Sequence, residues 1–130
     1  MKIFLTLLML SSILFSLDWE KDLTKATQIA QKEHKSIMLF VESDHCRWCK
    51  KMKQNTLADA EVEKRLKKFV LVKIMRAEAE AMKKLPKIYG VPSIFFMDEN
   101  QTVVEDVVGF FNTEDFISYI NDVEKSPKKK

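Results

Sequence analysis

Two cysteines, Cys46 and Cys49, follow a short unbroken apolar run, Ile37-Met38-Leu39-Phe40-Val41, and precede a Lys-rich stretch that favours helix. An apolar run of that length reads as a strand covered on both faces. A Cys-x-x-Cys at the step from strand to helix puts its first sulfur at the helix N-terminus. Free backbone N–H groups and the helix dipole favour a thiolate there. Thiol pKa values in such places fall from about 8.5 to roughly 3.5–7.5. The thiolate is the attacking species in disulfide exchange, and a neighbouring thiol resolves the mixed disulfide. Cys46 is then the exposed nucleophile and Cys49 the more buried resolving thiol. Their own redox-active disulfide is the only redox group this chemistry needs, so no cofactor is expected.

Two other uses of the pair compete. A structural zinc site commonly takes four Cys or His ligands. This chain has two Cys and two His, and His34 and His45 stand 11 positions apart, so no metal is expected. A purely structural disulfide closing so short a loop adds little stability through chain entropy, which favours a functional pair. Arg47 and His45 are candidates for tuning the thiol, provided their side chains point towards sulfur. Trp48 either shields the motif or forms part of an apolar docking surface.

The first sixteen residues are set aside before fold reasoning. Lys2 is followed by an apolar stretch to Leu17, broken only by Thr6, Ser11, Ser12 and Ser16, and Asp18 is the first acidic residue. A charged start, a short apolar core and small residues near its end describe a secretory signal peptide. The run is shorter than the roughly 20 residues of a membrane-spanning helix. Residues 1–16 are therefore expected to be a signal peptide, 17–125 one domain, and 126–130 a basic flexible tail. Export places both cysteines in an oxidising compartment, periplasm or cell envelope, with membrane contact only if the leader stays uncleaved. Charged residues make up 32% of the chain, yet the net charge is only +3. That balance, with no basic stripe among aromatics, argues against nucleic acid.

Along the rest of the chain, Leu23, Ala26, Ile29 and Ala30 give Asp18–His34 the pattern of an amphipathic surface helix. Lys35-Ser36 breaks it. Ser43 and Asp44 favour the start of the next helix, which runs through Met52 and Leu57 towards Leu66 with an interruption near Asn55-Thr56. Phe69–Ile74 and Ile94–Met97 read as strands, and residues 78–84 as helix with a break at Pro86. After the polar turn 98–101, Thr102–Val108 pairs back as a hairpin. Asn112 or Thr113 caps a last helix with Phe116, Ile117, Ile120 and Val123 on one face. Helices alternating with strands and closing on a hairpin predict an α/β fold with a mixed sheet.

In this order the pieces resemble the thioredoxin superfamily over nearly the whole chain after the leader. The resemblance rests on Ile37–Val41 running into Cys46-Arg47-Trp48-Cys49-Lys50, on Val70-Leu71-Val72-Lys73, on Tyr89-Gly90-Val91-Pro92-Ser93 before an apolar strand, and on Gly109 before the last helix. It implies the thioredoxin fold, a central mixed β-sheet flanked by helices. It also implies a cis Val91–Pro92 bond lying against the cysteines, with the backbone beside it pairing to an extended substrate segment. Where that family carries a buried Asp that helps deprotonate the resolving cysteine, this chain has Phe40. Glu42, two residues on and hence on the same strand face, is the candidate replacement. More narrowly, Trp19, the Ala-rich first helix and Cys-x-Trp-Cys-Lys are similar to exported thioredoxin-like proteins related to the Dsb reductases.

The expected activity is therefore an exported thiol–disulfide oxidoreductase, a monomer that reduces protein disulfides and is recharged by an upstream redox partner. The alternatives are a thiol oxidase of the same fold, or a non-catalytic binding or adaptor module.

Overall fold

The structure, a computed structural model, describes residues 17–126. The expected leader 1–16 and tail residues 127–130 lie outside the described residues. Five strands form one sheet in the order β1 (Trp19–Glu20), β3 (Phe69–Met75), β2 (Ser36–Glu42), β4 (Ser93–Met97), β5 (Val103–Val108). β3 runs parallel to both β1 and β2, whereas β4 is antiparallel to β2 and β5 antiparallel to β4. This is the mixed, helix-flanked sheet that the alternation of elements predicts.

β2 shows why its sequence is apolar without alternation. Ile37, Leu39 and Val41 face one layer, where they meet Leu23, Ala26 and Ala30 of α1 (Leu23–Glu33). Met38 and Phe40 face the other, against Met52, Val62 and Leu66 and the aromatic ring of Phe116. Successive strand side chains point to opposite faces, so a strand packed on both must be apolar throughout. The second layer consists of α2 (Arg47–Lys51), a π-helical turn (Met52–Thr56), α3 (Ala60–Leu66) and α5 (Thr113–Lys125). Phe96 sits at the centre of its aromatic cluster, 5.4 Å from Phe69, 6.3 Å from Phe116 and 5.9 Å from Tyr119 between ring centroids.

Local chemistry fixes the ends of these elements. Asp22, Asp59 and Asn112 are extended residues whose side chains accept N–H groups of the first turns of α1, α3 and α5. Each such cap is worth about 1 kcal/mol. Between β4 and β5, Asp98 Oδ1 accepts the N–H groups of Asn100 and Thr102 at 2.8 and 2.9 Å, which shapes the hairpin turn.

The structure corrects several local expectations. Residues 18–34 are not one helix: Trp19 and Glu20 pair with Leu71 and Val72 as an edge strand before Asp22 caps α1. A two-residue strand leaves no periodicity to read. The helix does end before Lys35-Ser36, with His34 as its C-cap, and Ser36 is already the first residue of β2. The helix expected over 78–84 is the short α4 (Ala79–Met82), and Pro86 lies in the coil beyond it. Beyond the motif the chain passes from α2 through the π-helical turn, which includes Asn55-Thr56, and breaks at residues 57–59 before α3, so the interruption falls directly after Asn55-Thr56.

Candidate active site: the Cys46–Cys49 disulfide

β2 ends at Glu42, and the chain turns through Ser43-Asp44-His45 to deliver Cys46. His45 adopts φ 58°, the left-handed region that costs a non-glycine residue on the order of 1 kcal/mol. Ser43 and Asp44 do not start the helix as expected. Cys46 itself is the extended N-cap of α2, and its Sγ accepts the N–H of Cys49 at 3.1 Å. The Cys46 sulfur therefore already holds an otherwise unpaired donor of the first helical turn. Cys46 and Cys49 are joined as a disulfide with Cα atoms 5.2 Å apart. Cys46 is half-buried, whereas Cys49 is 2% exposed on the inner face of α2.

On one flank lies an open concavity of about 710 Å³ that includes Glu42, His45, Cys46, Arg47, Cys49 and Lys53 in its lining. Glu42 is only 6% exposed, so it is not a solvated strand-end carboxylate. Its Oε1 accepts from Lys53 Nζ at 2.8 Å, while its Oε2 is buried without a hydrogen-bond partner among the described residues. Phe40, where the resemblance looks for an acid, is fully buried and packs 6.2 Å from Trp19. The His45 side chain makes no hydrogen bond or ion pair among the described residues.

On the other flank Trp48 is 45% exposed and stacks on Phe110 at 5.9 Å. The Arg47 guanidinium lies over the Trp48 ring at 4.9 Å, so the geometry ties it to the aromatic. Pairing of Val41 with Ser93 sets Pro92 beside the end of β2, at the same end of the sheet as Cys46. The Val91–Pro92 bond is cis, and the Pro92 carbonyl accepts the N–H of Gly109 at 2.8 Å. Gly109 has φ 104°, which an L side chain rarely adopts, and this turn brings Phe110 to Trp48. Behind it the Thr56 hydroxyl of the π-helical turn donates to the Phe111 carbonyl. Phe111 packs on Tyr119, whose hydroxyl lies 3.0 Å from the Asp106 carbonyl and 3.2 Å from Glu105 Oε2. Burial first, then the charge of Glu105, holds the Tyr119 phenol well above its ordinary range, so it stays a donor.

The fold thus gathers Glu42, His45, Cys46, Arg47, Trp48, Cys49, Val91 and Pro92 at one end of the sheet. His34 is separated from His45 by the length of β2, seven residues or roughly 23 Å, and cannot share a metal with the cysteines. Among the described residues no group of three or more His, Cys, Asp or Glu is placed to hold one. Lys53 and Phe110 were missed from sequence. Lys53 stands four residues after Cys49, hence on the same side of the chain's helical path, and that spacing was the available signal. Phe110 had only its place after Gly109.

Comparison with known proteins agrees with this geometry. The chain is 29% identical over 109 residues to the thiol:disulfide interchange protein DsbD of Haemophilus ducreyi, covering 76% of this chain and 19% of that protein. It is 31% identical over 101 residues to DsbD of Yersinia enterocolitica, covering 73% and 18%. It therefore spans about a fifth of the length of these relatives. Among solved structures, the C-terminal domain of Neisseria meningitidis DsbD in its reduced form is 27% identical with a TM-score of 0.65, covering 77% of this chain and 92% of that one. A thioredoxin from Thermus thermophilus, 22% identical with a TM-score of 0.72 over 85% of this chain and 89% of that one, shares the fold. A family model for the thioredoxin-like domain matches residues 23–124, most of the molecule, and the chain belongs to that family.

Proposed function

We propose that this protein is a thiol–disulfide oxidoreductase of the cell envelope that reduces disulfides of partner proteins. The observation that carries the reading is the inequality of the two sulfurs: Cys46 is accessible at the head of α2, and Cys49 is buried beneath it. In the reduced protein the Cys46 thiolate attacks a partner disulfide, forming a mixed disulfide and releasing one partner thiolate. Cys49 loses its proton and attacks Cys46 Sγ. The Cys46–Cys49 disulfide forms, the second partner thiolate leaves, and two electrons have passed to the partner. An upstream dithiol reverses the change. The DsbD relatives, named as interchange proteins, support this chemistry.

Glu42 is the group proposed to take the Cys49 proton, because it lines the same concavity as both cysteines and its Oε2 is buried without a hydrogen-bond partner among the described residues. Val91 and Pro92 shape the groove for the partner's extended segment beside Trp48. Arg47 and His45 act through charge. Export rests on the leader read in residues 1–16, and no helix among the described residues is long and apolar enough to cross a membrane.

Insulin reduction with dithiothreitol as the electron source tests the activity: turnover that requires Cys46 is expected. Absence of turnover, with both thiols free to react in the reduced protein, favours a binding module instead. Equilibration with glutathione tests direction. A potential near the thioredoxin value of about −270 mV is expected, and one near about −120 mV would make the protein an oxidase.

A further inference from the structure

The three exposed large hydrophobic side chains among the described residues are Trp48, Tyr89 at 75% and Val108 at 47%, and they form one arc around the disulfide. Trp48 stacks on Phe110, two residues beyond Val108. Val108 pairs with Ser93, next to Pro92. It also crowds Gly90, where a Cβ would come within 3.2 Å of Val108 Cγ1, and so lies against the Tyr89-Gly90 segment. Large apolar side chains left exposed on neighbouring segments are candidates for an interaction surface.

Every exposed aromatic of the arc carries a cation. Arg47 lies over Trp48, Lys51 stands 5.3 Å from Trp48 and 4.6 Å from Phe110, and Lys87 stands 5.1 Å from Tyr89. None of these three has a carboxylate partner among the described residues. Of the nearby acids, Asp44 lines one concavity with Arg47 but forms no ion pair with it, Glu105 is held by Tyr119, and Asp106 pairs with Phe95, two positions along β4 from Ser93. Arg47, Lys51 and Lys87 thus stand beside the site with aromatic rings, not carboxylates, as their partners among the described residues. Exposed cation–π contacts are weak and give way readily to a carboxylate brought in from outside.

We propose that this arc docks an acidic segment of the partner protein, one carrying Asp or Glu close to its reacting cysteine. The proposal rests on the exchange reading above and specifies its substrate class. An anionic membrane surface would also suit a basic apolar patch, but the arc rings the reacting disulfide, where the partner's sulfur must arrive.

The test uses the reduced protein and three synthetic peptides, each closed by one disulfide and differing only in flanking Asp/Glu, Ser/Asn or Lys residues. Reduction of the acidic peptide is expected to be about tenfold faster than that of the neutral one at low salt. The gap should close as salt screens the charges. In Lys51→Glu/Lys87→Glu the ratio of acidic to basic peptide rates should invert, a readout independent of the variant's absolute activity. Equal rates for all three peptides, with hydroxyethyl disulfide still reduced, overturn this inference alone. Failure to reduce hydroxyethyl disulfide overturns the exchange reading and this inference with it. Sedimentation with phosphatidylglycerol vesicles, without any peptide preference, would assign the arc to a membrane surface.

Discussion

On one flank of the disulfide, the exposed Trp48 and the half-buried Phe110 lie under the charges of Arg47 and Lys51. On the other, Glu42 is buried at the end of β2 and tied to Lys53 at 2.8 Å. The first flank has unpaired cations and exposed rings, groups whose interactions are completed by something outside the chain. The second has a charge that the chain answers for itself, leaving a single carboxylate oxygen without a partner among the described residues. Substitutions on the open flank should therefore alter exchange with partners and leave stability nearly unchanged. Substitutions on the closed flank should alter stability and the proton step.

The largest effect lies between the flanks: Cys46→Ser should abolish insulin reduction. Cys49→Ser should still attack and hold its partner as a mixed disulfide, visible by non-reducing electrophoresis. On the closed flank, Lys53→Met strands the Glu42 carboxylate and should cost about 2–3 kcal/mol in urea unfolding. That is less than the roughly 3–5 kcal/mol of a fully buried broken pair, because Lys53 is 39% exposed. A Glu42→Gln/Lys53→Met double variant should recover most of that loss. Glu42→Gln alone should slow resolution, so that mixed disulfide accumulates in single-turnover quench experiments; an unchanged resolution rate would remove Glu42 from the proton step.

The sequence made one half of this comparison far more legible than the other. The strand Ile37–Val41 and the cysteine spacing could be read directly because each imposes a pattern within a few residues, whereas the place of Pro92 came from the family resemblance. Glu42 was a candidate because strand alternation put it on the face of Phe40. Its burial and its ion pair were not legible, since Lys53 reaches it only through the path of α2 and the π-helical turn. The aromatic arc joins residues from α2, the segment before β4 and the end of β5, and local periodicity carries no trace of such contacts. β1 was lost for a related reason: its two residues take their strand conformation from β3, not from their own pattern.

Smaller effects refine the contrast. Thr56→Val removes the donor to the Phe111 carbonyl in a fully buried position and should cost about 1–2 kcal/mol, read as a lower urea midpoint at constant slope. Trp48→Ala on the open flank should cost less than about 1 kcal/mol of stability, in keeping with its exposure. It should nonetheless slow reduction of insulin more than reduction of hydroxyethyl disulfide, because only the protein substrate needs a docking surface. Equal slowing of both would make Trp48 part of the chemistry.

The central claim is that the two sulfurs are unequal, Cys46 attacking and Cys49 resolving. Brief alkylation of the reduced wild-type protein with iodoacetamide, followed by peptide mass spectrometry, measures that inequality directly. The account predicts label on Cys46 while Cys49 is still unmodified; label on Cys49 first, or on both at equal rates, would contradict it.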